Sequence, residues 1–322
     1  MRIVVLDGYT LNPGDNPWEE LGELGELVVH DRTHVSQVVE RALGAEILLT
    51  NKTPIPGDAI RSLPTLRFIS VLATGYDIVD VKAAAEKGIP VSNVPVYGTD
   101  TVAEHVFALL LELARRPALH DSAVRAGGWW SQPDWCFWKV PLVELAGKVM
   151  GIVGFGRIGR RVGEIAHAFG MKVVANDINM APDPPYVPFQ WLSVEELFSQ
   201  SDFVSLHCYQ TQENVGFVNM GLLRRMKPTA FLINTSRGGL INEQDLAQAL
   251  EMGILAGAAL DVVSREPISP ENPLLGAPNL IITPHIAWAT LEARRRLMRT
   301  TVENVRAFLA GNPQNVVNHP VR

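Results

Sequence analysis

Three short segments hold the residues best suited to chemistry. Thr235-Ser236-Arg237-Gly238-Gly239 carries an arginine, Arg265-Glu266-Pro267 a carboxylate, and Pro284-His285-Ile286-Ala287-Trp288 an imidazole. Each lies just past an apolar run that reads as a strand: Ala230–Asn234, Ala256–Leu260 with Asp261 at its end, and Leu280–Thr283. In an open parallel sheet, ligands sit beyond the carboxyl ends of the strands. An Arg, a Glu and a His are therefore expected on one edge. An imidazole titrates near neutrality and suits a proton in transit. A carboxylate beside it favours the imidazolium form. A guanidinium offers a planar fork to a substrate carboxylate and polarises a neighbouring carbonyl. Taken singly, each has an ordinary reading: a packed histidine, a turn glutamate with Arg265 as a rival charge, an arginine in an ion pair. Their common location makes the joint case.

Upstream, Val149 to Asp177 supplies what those groups would act with. The apolar run Val149–Val153 leads into Gly154-Phe155-Gly156-Arg157-Ile158-Gly159, a helical stretch follows to Gly170, and a second apolar run, Val173–Ala175, leads to Asp177. Strand, glycine turn, helix, strand and acid fit within one βαβ unit, the context a dinucleotide site needs. Gly154 permits the tight turn, Gly156 the approach to a pyrophosphate, and Gly159 the close packing of helix on strand. The helix N-terminus holds the phosphates. Asp177 accepts from the adenosine ribose hydroxyls and repels the extra phosphate of NADP, and Ile178-Asn179-Met180 offers it no arginine, so NAD is the expected cofactor. A nicotinamide exchanges hydride with a carbon whose oxygen must gain or lose a proton, which is work for His285.

The elements that must position these groups show as an alternation of strand-like and helical runs along the whole chain. Strands are expected at Ile3–Leu6, Leu27–Val29, Ile47–Leu49, Phe68–Leu72 and Ile89–Ser92, with helices such as Val35–Leu43 and Ile78–Lys87 between some of them. A further strand is expected at Phe203–Leu206, and helices at Val194–Ser199, Met220–Met226, Glu243–Met252 and about Leu291 to Leu309. The rhythm predicts α/β architecture with parallel sheets. Thr101–Arg116 reads as the clearest helix, opened by a capping box at Thr101–Glu104 and stopped by Pro117. The last helix follows the final strand and either packs on its own domain or returns to cover the N-terminal one. The segment from His120 to Lys148 is irregular yet carries Trp129, Trp130, Trp135, Phe137 and Trp138, a density expected to pack on something, either within the chain or, as favoured, at a subunit interface.

Composition narrows the class. The chain has 322 residues, of which 47% are hydrophobic and 19% charged, and a net charge of -6. This suits two globular domains and disfavours a nucleic-acid surface. No apolar run reaches the length of a membrane span or of a secretory signal. Two cysteines without a CxxC spacing fit a reducing, cytoplasmic setting, with one disulfide as the alternative, and the eight histidines form no metal-ligand pattern, so no metal is expected.

GFGRIG with Asp177 downstream, then NTSRGG, the Arg-Glu-Pro segment and TPHIAW, in that order, resemble the D-isomer-specific 2-hydroxyacid dehydrogenases over nearly the whole chain. The resemblance implies a Rossmann-type NAD-binding domain, 99–289, inserted in a split flavodoxin-like α/β substrate-binding domain, 1–98 plus 290–322. It implies an active site in the cleft between them and a homodimer formed largely through the inserted domain. It makes Arg237, Glu266 and His285 the catalytic trio. Thr74 and Gly75, in Ala73-Thr74-Gly75-Tyr76, become backbone hosts for the substrate carboxylate, joined there by Arg237 and His285. Thr101, Arg157, Ile158, Thr235 and Asp261 become cofactor contacts, Asp261 near the carboxamide. Tyr209-Gln210 departs from the Pro-Leu of many members, which bears on the adenine side. Asn51-Lys52-Thr53, Cys136-Phe137-Trp138 before Pro141-Leu142, and His285-Ile286-Ala287-Trp288 resemble the members acting on hydroxypyruvate and D-glycerate. The expected activity is NAD-dependent interconversion of a short 2-oxoacid and its D-2-hydroxyacid. The alternatives are a short phosphoglycerate dehydrogenase, a formate dehydrogenase, for which a His–Glu pair has no use, and an NAD-sensing corepressor-like protein.

Overall fold

The computed structural model describes residues 1–180 and 182–318. The chain divides into two compact units, Met1–Gly98 with the segment from Trp288 onward, and Thr99–Ala287. Among the described residues, no helix is long and apolar enough to cross a membrane.

The unit of the two chain ends is built on five parallel strands. These are β1 (Arg2–Val5), β2 (Glu26–Val29), β3 (Ile47–Thr50), β4 (Phe68–Val71) and β5 (Val91–Ser92), in the order β2-β1-β3-β4-β5. That is the flavodoxin-like order. β3 and β4 are buried along their whole length, which is why they read as mainly apolar runs, broken only by the small polar Thr50 and Ser70, rather than as alternations. Val4, Leu48 and Ile69 pack on one face of the sheet. Ile3, Ile47 and Phe68 pack on the other against Leu297, Val302 and Val305 of the helix Leu291–Leu309. The last helix therefore returns to the N-terminal sheet, its Phe308 ring stacked on Phe68 at 4.5 Å.

The second unit carries seven parallel strands: β6 (Val149–Val153), β7 (Lys172–Asn176), β8 (Phe189–Trp191), β9 (Phe203–Leu206), β10 (Phe231–Asn234), β11 (Gly257–Leu260) and β12 (Leu280–Ile282). Their order is β12-β11-β10-β9-β6-β7-β8. Strand order reverses between β6 and β9, the switch point where a Rossmann sheet receives its dinucleotide. The helix Thr99–Arg115 lays Val106, Leu110 and Leu113 into the core formed with Ile152, Ile233 and Ala259.

Local differences from the sequence reading have physical causes. The helix begins at Thr99, not Thr101, so Thr101 sits in its first turn. Its hydroxyl donates to the Ala287 carbonyl at 3.2 Å instead of capping. Pro117 opens a second helix, Pro117–Arg125, after Arg116 turns the chain with a left-handed φ of 49°. Proline at the first helical position is as natural as proline beyond the last. The expected helix Val35–Leu43 is a 3₁₀ turn, Val35–Gln37, followed by the short helix Val38–Ala42. β8 has no counterpart among the expected strands, because three residues without a buried alternating face give no periodic signal.

Candidate active site and dinucleotide cradle

The cradle begins where β6 ends. Gly154 has a φ of +91°, and a Cβ there would lie 2.3 Å from the Cys208 nitrogen at the end of β9. No other residue fits. A Cβ on Gly159 would lie 2.1 Å from the Gly154 carbonyl oxygen, so this glycine lets the helix Arg157–Ala168 start hard against the strand. Gly156, between them, has nothing within 4 Å of its absent side chain, which leaves open space before the helix N-terminus. Gly170 closes the helix with a φ of +75°. Asp177, just past β7, accepts the Phe155 N–H at 2.7 Å and the Asn179 N–H at 3.0 Å. The acid is thereby tied to the glycine turn. Thr235, after β10, has its Oγ1 buried with no hydrogen-bond partner among the described residues. A buried hydroxyl without a partner is costly, so a ligand that satisfies it is expected there. Open space at Gly156, the helix N-terminus, Asp177 and the unmatched Thr235 hydroxyl together fit a dinucleotide, with Arg157 and Ile158 at the first turn.

The chemical groups sit on loops after β10, β11 and β12. His285 Nδ1 and Glu266 Oε2 are 2.6 Å apart. Glu266 Oε1 accepts the Val263 N–H at 3.2 Å, which aims the carboxylate. His285 itself has a left-handed φ of 55°, a conformation that costs energy for a residue with a side chain and persists only where surroundings impose it. Asp261 imposes it. Its carbonyl accepts the His285 N–H at 2.8 Å. Its carboxylate accepts the Ile286 N–H at 2.9 Å, the Ala287 N–H at 2.8 Å and the Thr283 hydroxyl at 2.6 Å. His105 Nε2 lies 3.5 Å from the same carboxylate. Burial alone would push this carboxyl up. The hydrogen bonds from His105, Thr283, Ala287 and Ile286 outweigh it and hold Asp261 below the usual carboxylate range.

Arg237 follows β10 in extended conformation, held by the buried Asn234 at the strand end. Asn234 Nδ2 donates to the Arg237 carbonyl at 2.8 Å and its Oδ1 accepts the Ser236 N–H at 3.0 Å. A Cβ on the next residue, Gly238, would lie 1.9 Å from the Val263 carbonyl carbon. The arginine loop thus abuts the loop that carries Glu266. Thr74 and Gly75 lie in the other unit, in the loop after β4. There the Thr74 hydroxyl donates to the Val94 carbonyl at 2.8 Å, and Asn93 Nδ2 donates to the Thr74 carbonyl at 2.7 Å.

Of the residues singled out in the sequence, Glu266 and His285 are in direct contact, and Gly154, Phe155 and Asp177 converge on one turn. Asp261, expected near the carboxamide, has both carboxylate oxygens engaged with the His285 loop. Sequence reasoning missed Asn234 and His105 as supports. For Asn234 the hint was a polar residue closing an apolar run; His105, in a largely apolar helix, gave none.

The family model for the NAD-binding domain of D-isomer specific 2-hydroxyacid dehydrogenases matches residues 107–287. A hydroxypyruvate reductase of Blautia hydrogenotrophica is 52% identical over 321 residues, spanning 99% of this chain and 100% of its own. A glycerate dehydrogenase of Methylorubrum extorquens is 42% identical over 283 residues, 87% of this chain and 88% of its own. The crystal structure of a D-lactate dehydrogenase from Aquifex aeolicus, complexed with NAD and lactic acid, superposes with a TM-score of 0.87 at 29% identity, covering 100% of both chains.

Proposed function

The chain belongs to the D-isomer-specific 2-hydroxyacid dehydrogenase family, and from that premise we propose that it interconverts hydroxypyruvate and D-glycerate, with glyoxylate as a second substrate. It is an NAD-dependent oxidoreductase of short 2-hydroxyacids. The observation that carries the reaction is the His285–Glu266 pair at 2.6 Å. When bound, NAD supplies the hydride acceptor, and NADH the donor. Glu266 occupies Nδ1 of His285, and Nε2 is then the nitrogen that exchanges a proton with the substrate oxygen. Arg237 pairs with the substrate carboxylate and polarises the carbonyl beside it. In the terminal unit, the loop of Thr74 and Gly75 offers backbone N–H groups to the same kind of anion. Asp177, held by two backbone N–H groups, favours NAD over NADP. Thr101, Arg157, Ile158, Thr235 and Asp261 complete the proposed cofactor shell, the last by setting the loop 285–287.

The working setting is proposed as the cytoplasm, consistent with Cys136 and Cys208 as free thiols. The assembly is proposed as a homodimer through the tryptophan-rich segment after the helix Pro117–Arg125. The decisive test is NADH oxidation by purified protein across hydroxypyruvate, glyoxylate, pyruvate, phosphohydroxypyruvate and a bulkier 2-oxoacid. Hydroxypyruvate is expected to give the highest kcat/KM. Preference for another acid would move the substrate assignment and keep the mechanism. NADH binding without turnover on any of them would make the protein a cofactor sensor.

A further inference from the structure

The helix Glu243–Glu251 starts beside the catalytic loops, and its first residue does not serve its own helix. The cap is Asn242, whose side chain accepts the Asp245 N–H at 3.1 Å. The Glu243 carboxylate reaches instead to the loop after β11. Its Oε1 accepts the Ser264 N–H at 2.6 Å, and its Oε2 accepts the Ser264 hydroxyl at 2.9 Å. Oε2 also accepts from Asn272 Nδ2 at 2.9 Å, and Asn272 caps the turn Pro273–Gly276 by accepting the Leu274 N–H at 2.9 Å. One carboxylate thereby joins a helix start, a loop and a turn. Two residues beyond Ser264 stands Glu266.

The same loop is also braced by a backbone contact. Gly238 packs so closely on Val263 and Ser264 that an added Cβ would lie 1.9 Å from the Val263 carbonyl carbon and 2.4 Å from the Ser264 nitrogen. The loop is braced by the arginine segment and gripped by Glu243. Between these restraints, Val263 N–H aims Glu266 Oε1 and leaves Oε2 on the His285 ring. Hydrogen bonds to an ionised carboxylate are among the stronger ones available to a loop. A displacement of about 1 Å in a catalytic group can cost roughly a hundredfold in rate.

We propose that Glu243 is a positioning residue for the proton-transfer pair: by holding Ser264 through both carboxylate oxygens it fixes the loop that keeps Glu266 on Nδ1 of His285. Its catalytic meaning rests on the dehydrogenase reading above, but its geometry does not. Among the charged and titratable groups bonded to His285 or its segment are Glu266 on the ring, Asp261 under the backbone, and His105 on Thr283. Substitution at Glu243 leaves these groups in place but also removes a charge, so only the part of a shift that disappears in the Glu266→Gln background reports the placement of Glu266.

The test is a proton NMR titration of the His285 ring in the full-length protein, its resonance assigned by its loss in His285→Gln. Glu266→Gln, which removes the carboxylate from the ring, is expected to lower the midpoint. Glu243→Ala is expected to lower it part of the way, and to add nothing in the Glu266→Gln background, as residues acting through one another are non-additive. Glu243→Gln keeps side-chain length and one acceptor oxygen, and serves if the alanine variant does not fold; it is expected to shift the midpoint in the same direction. A midpoint unchanged from wild type in the folded variant, or an equal shift in both backgrounds, would overturn the proposal. Wild-type turnover on hydroxypyruvate, measured separately, reads the functional assignment without bearing on this result.

Discussion

At the scale of single residues, the proposed site separates groups assigned to the chemistry from groups that hold them. His285 is the proposed acid–base group. His285→Gln keeps a polar side chain that can hydrogen-bond Glu266 yet cannot carry the proton, so kcat for 2-oxoacid reduction is expected to fall by roughly 10²–10⁴-fold. The Kd for NADH, read by fluorescence titration, should change little; unchanged kcat would remove His285 from the chemistry. Asp261 is a holder. Because hydrogen bonds keep its carboxyl below the usual range against the opposing effect of burial, its folded pKa lies below its unfolded one. Its stabilisation is therefore complete above the unfolded value of about 3.9 and is lost as pH falls through the folded value. Asp261→Asn turns an amide donor toward backbone N–H groups and is expected to cost about 1–3 kcal/mol near neutral pH. Urea unfolding should show the gap from wild type narrowing below about pH 4. A gap independent of pH would mean that the charge of Asp261 does not matter.

At the scale of elements, the cofactor cradle depends on how closely one helix meets one strand. Gly159→Ala would place a methyl 2.1 Å from the Gly154 carbonyl oxygen, a backbone atom that cannot rotate away. The helix Arg157–Ala168 must then retreat from β6, which carries its N-terminus off the pyrophosphate position. Overpacking of this kind costs about 1–3 kcal/mol, so NADH affinity is expected to drop roughly tenfold or more. Unaltered affinity in a folded variant would show that the helix start does not set cofactor binding. This close approach was legible in the sequence, because glycine spacing, apolar runs and a closing acid are all local signals. So were the positions of Arg237, Glu266 and His285, on the loops just past β10, β11 and β12. The supports were not legible. Asp261 meets Ile286 and Ala287 across 25 and 26 residues of chain, and Glu243 meets Ser264 across 21. Nothing in a lone carboxylate announces such partners. β8 and the helix Pro117–Arg125 escaped for the opposite reason: their local signals are weak or double-valued, and neighbouring structure decides them.

At the scale of the whole molecule, the tryptophan-rich segment is the surface proposed for the contact with a second copy. Trp130, Trp135 and Trp138 are 76%, 89% and 66% exposed, although the segment around them is fixed by its own bonds. Trp129 Nε1 donates to the Trp135 carbonyl at 2.9 Å, and His120 accepts the Lys139 N–H at 3.0 Å. Trp129, Trp130 and Trp135 also line, with Val124 and Asp134, an apolar cleft of about 410 Å³. Single exposed apolar residues are ordinary on protein surfaces, but a contiguous aromatic cluster marks an interaction site, and each indole offers roughly 150–250 Å² to bury. In the proposed homodimer that area is covered by a second copy of the chain. Light scattering on the wild-type protein is expected to give twice the mass of the chain. Replacing Trp130, Trp135 and Trp138 together by serine should shift it toward the monomer, with little loss of secondary structure by circular dichroism, since none of the three is part of the buried core. A triple variant that remains dimeric would place the contact on another surface, and a monomeric wild type would remove the homodimer altogether.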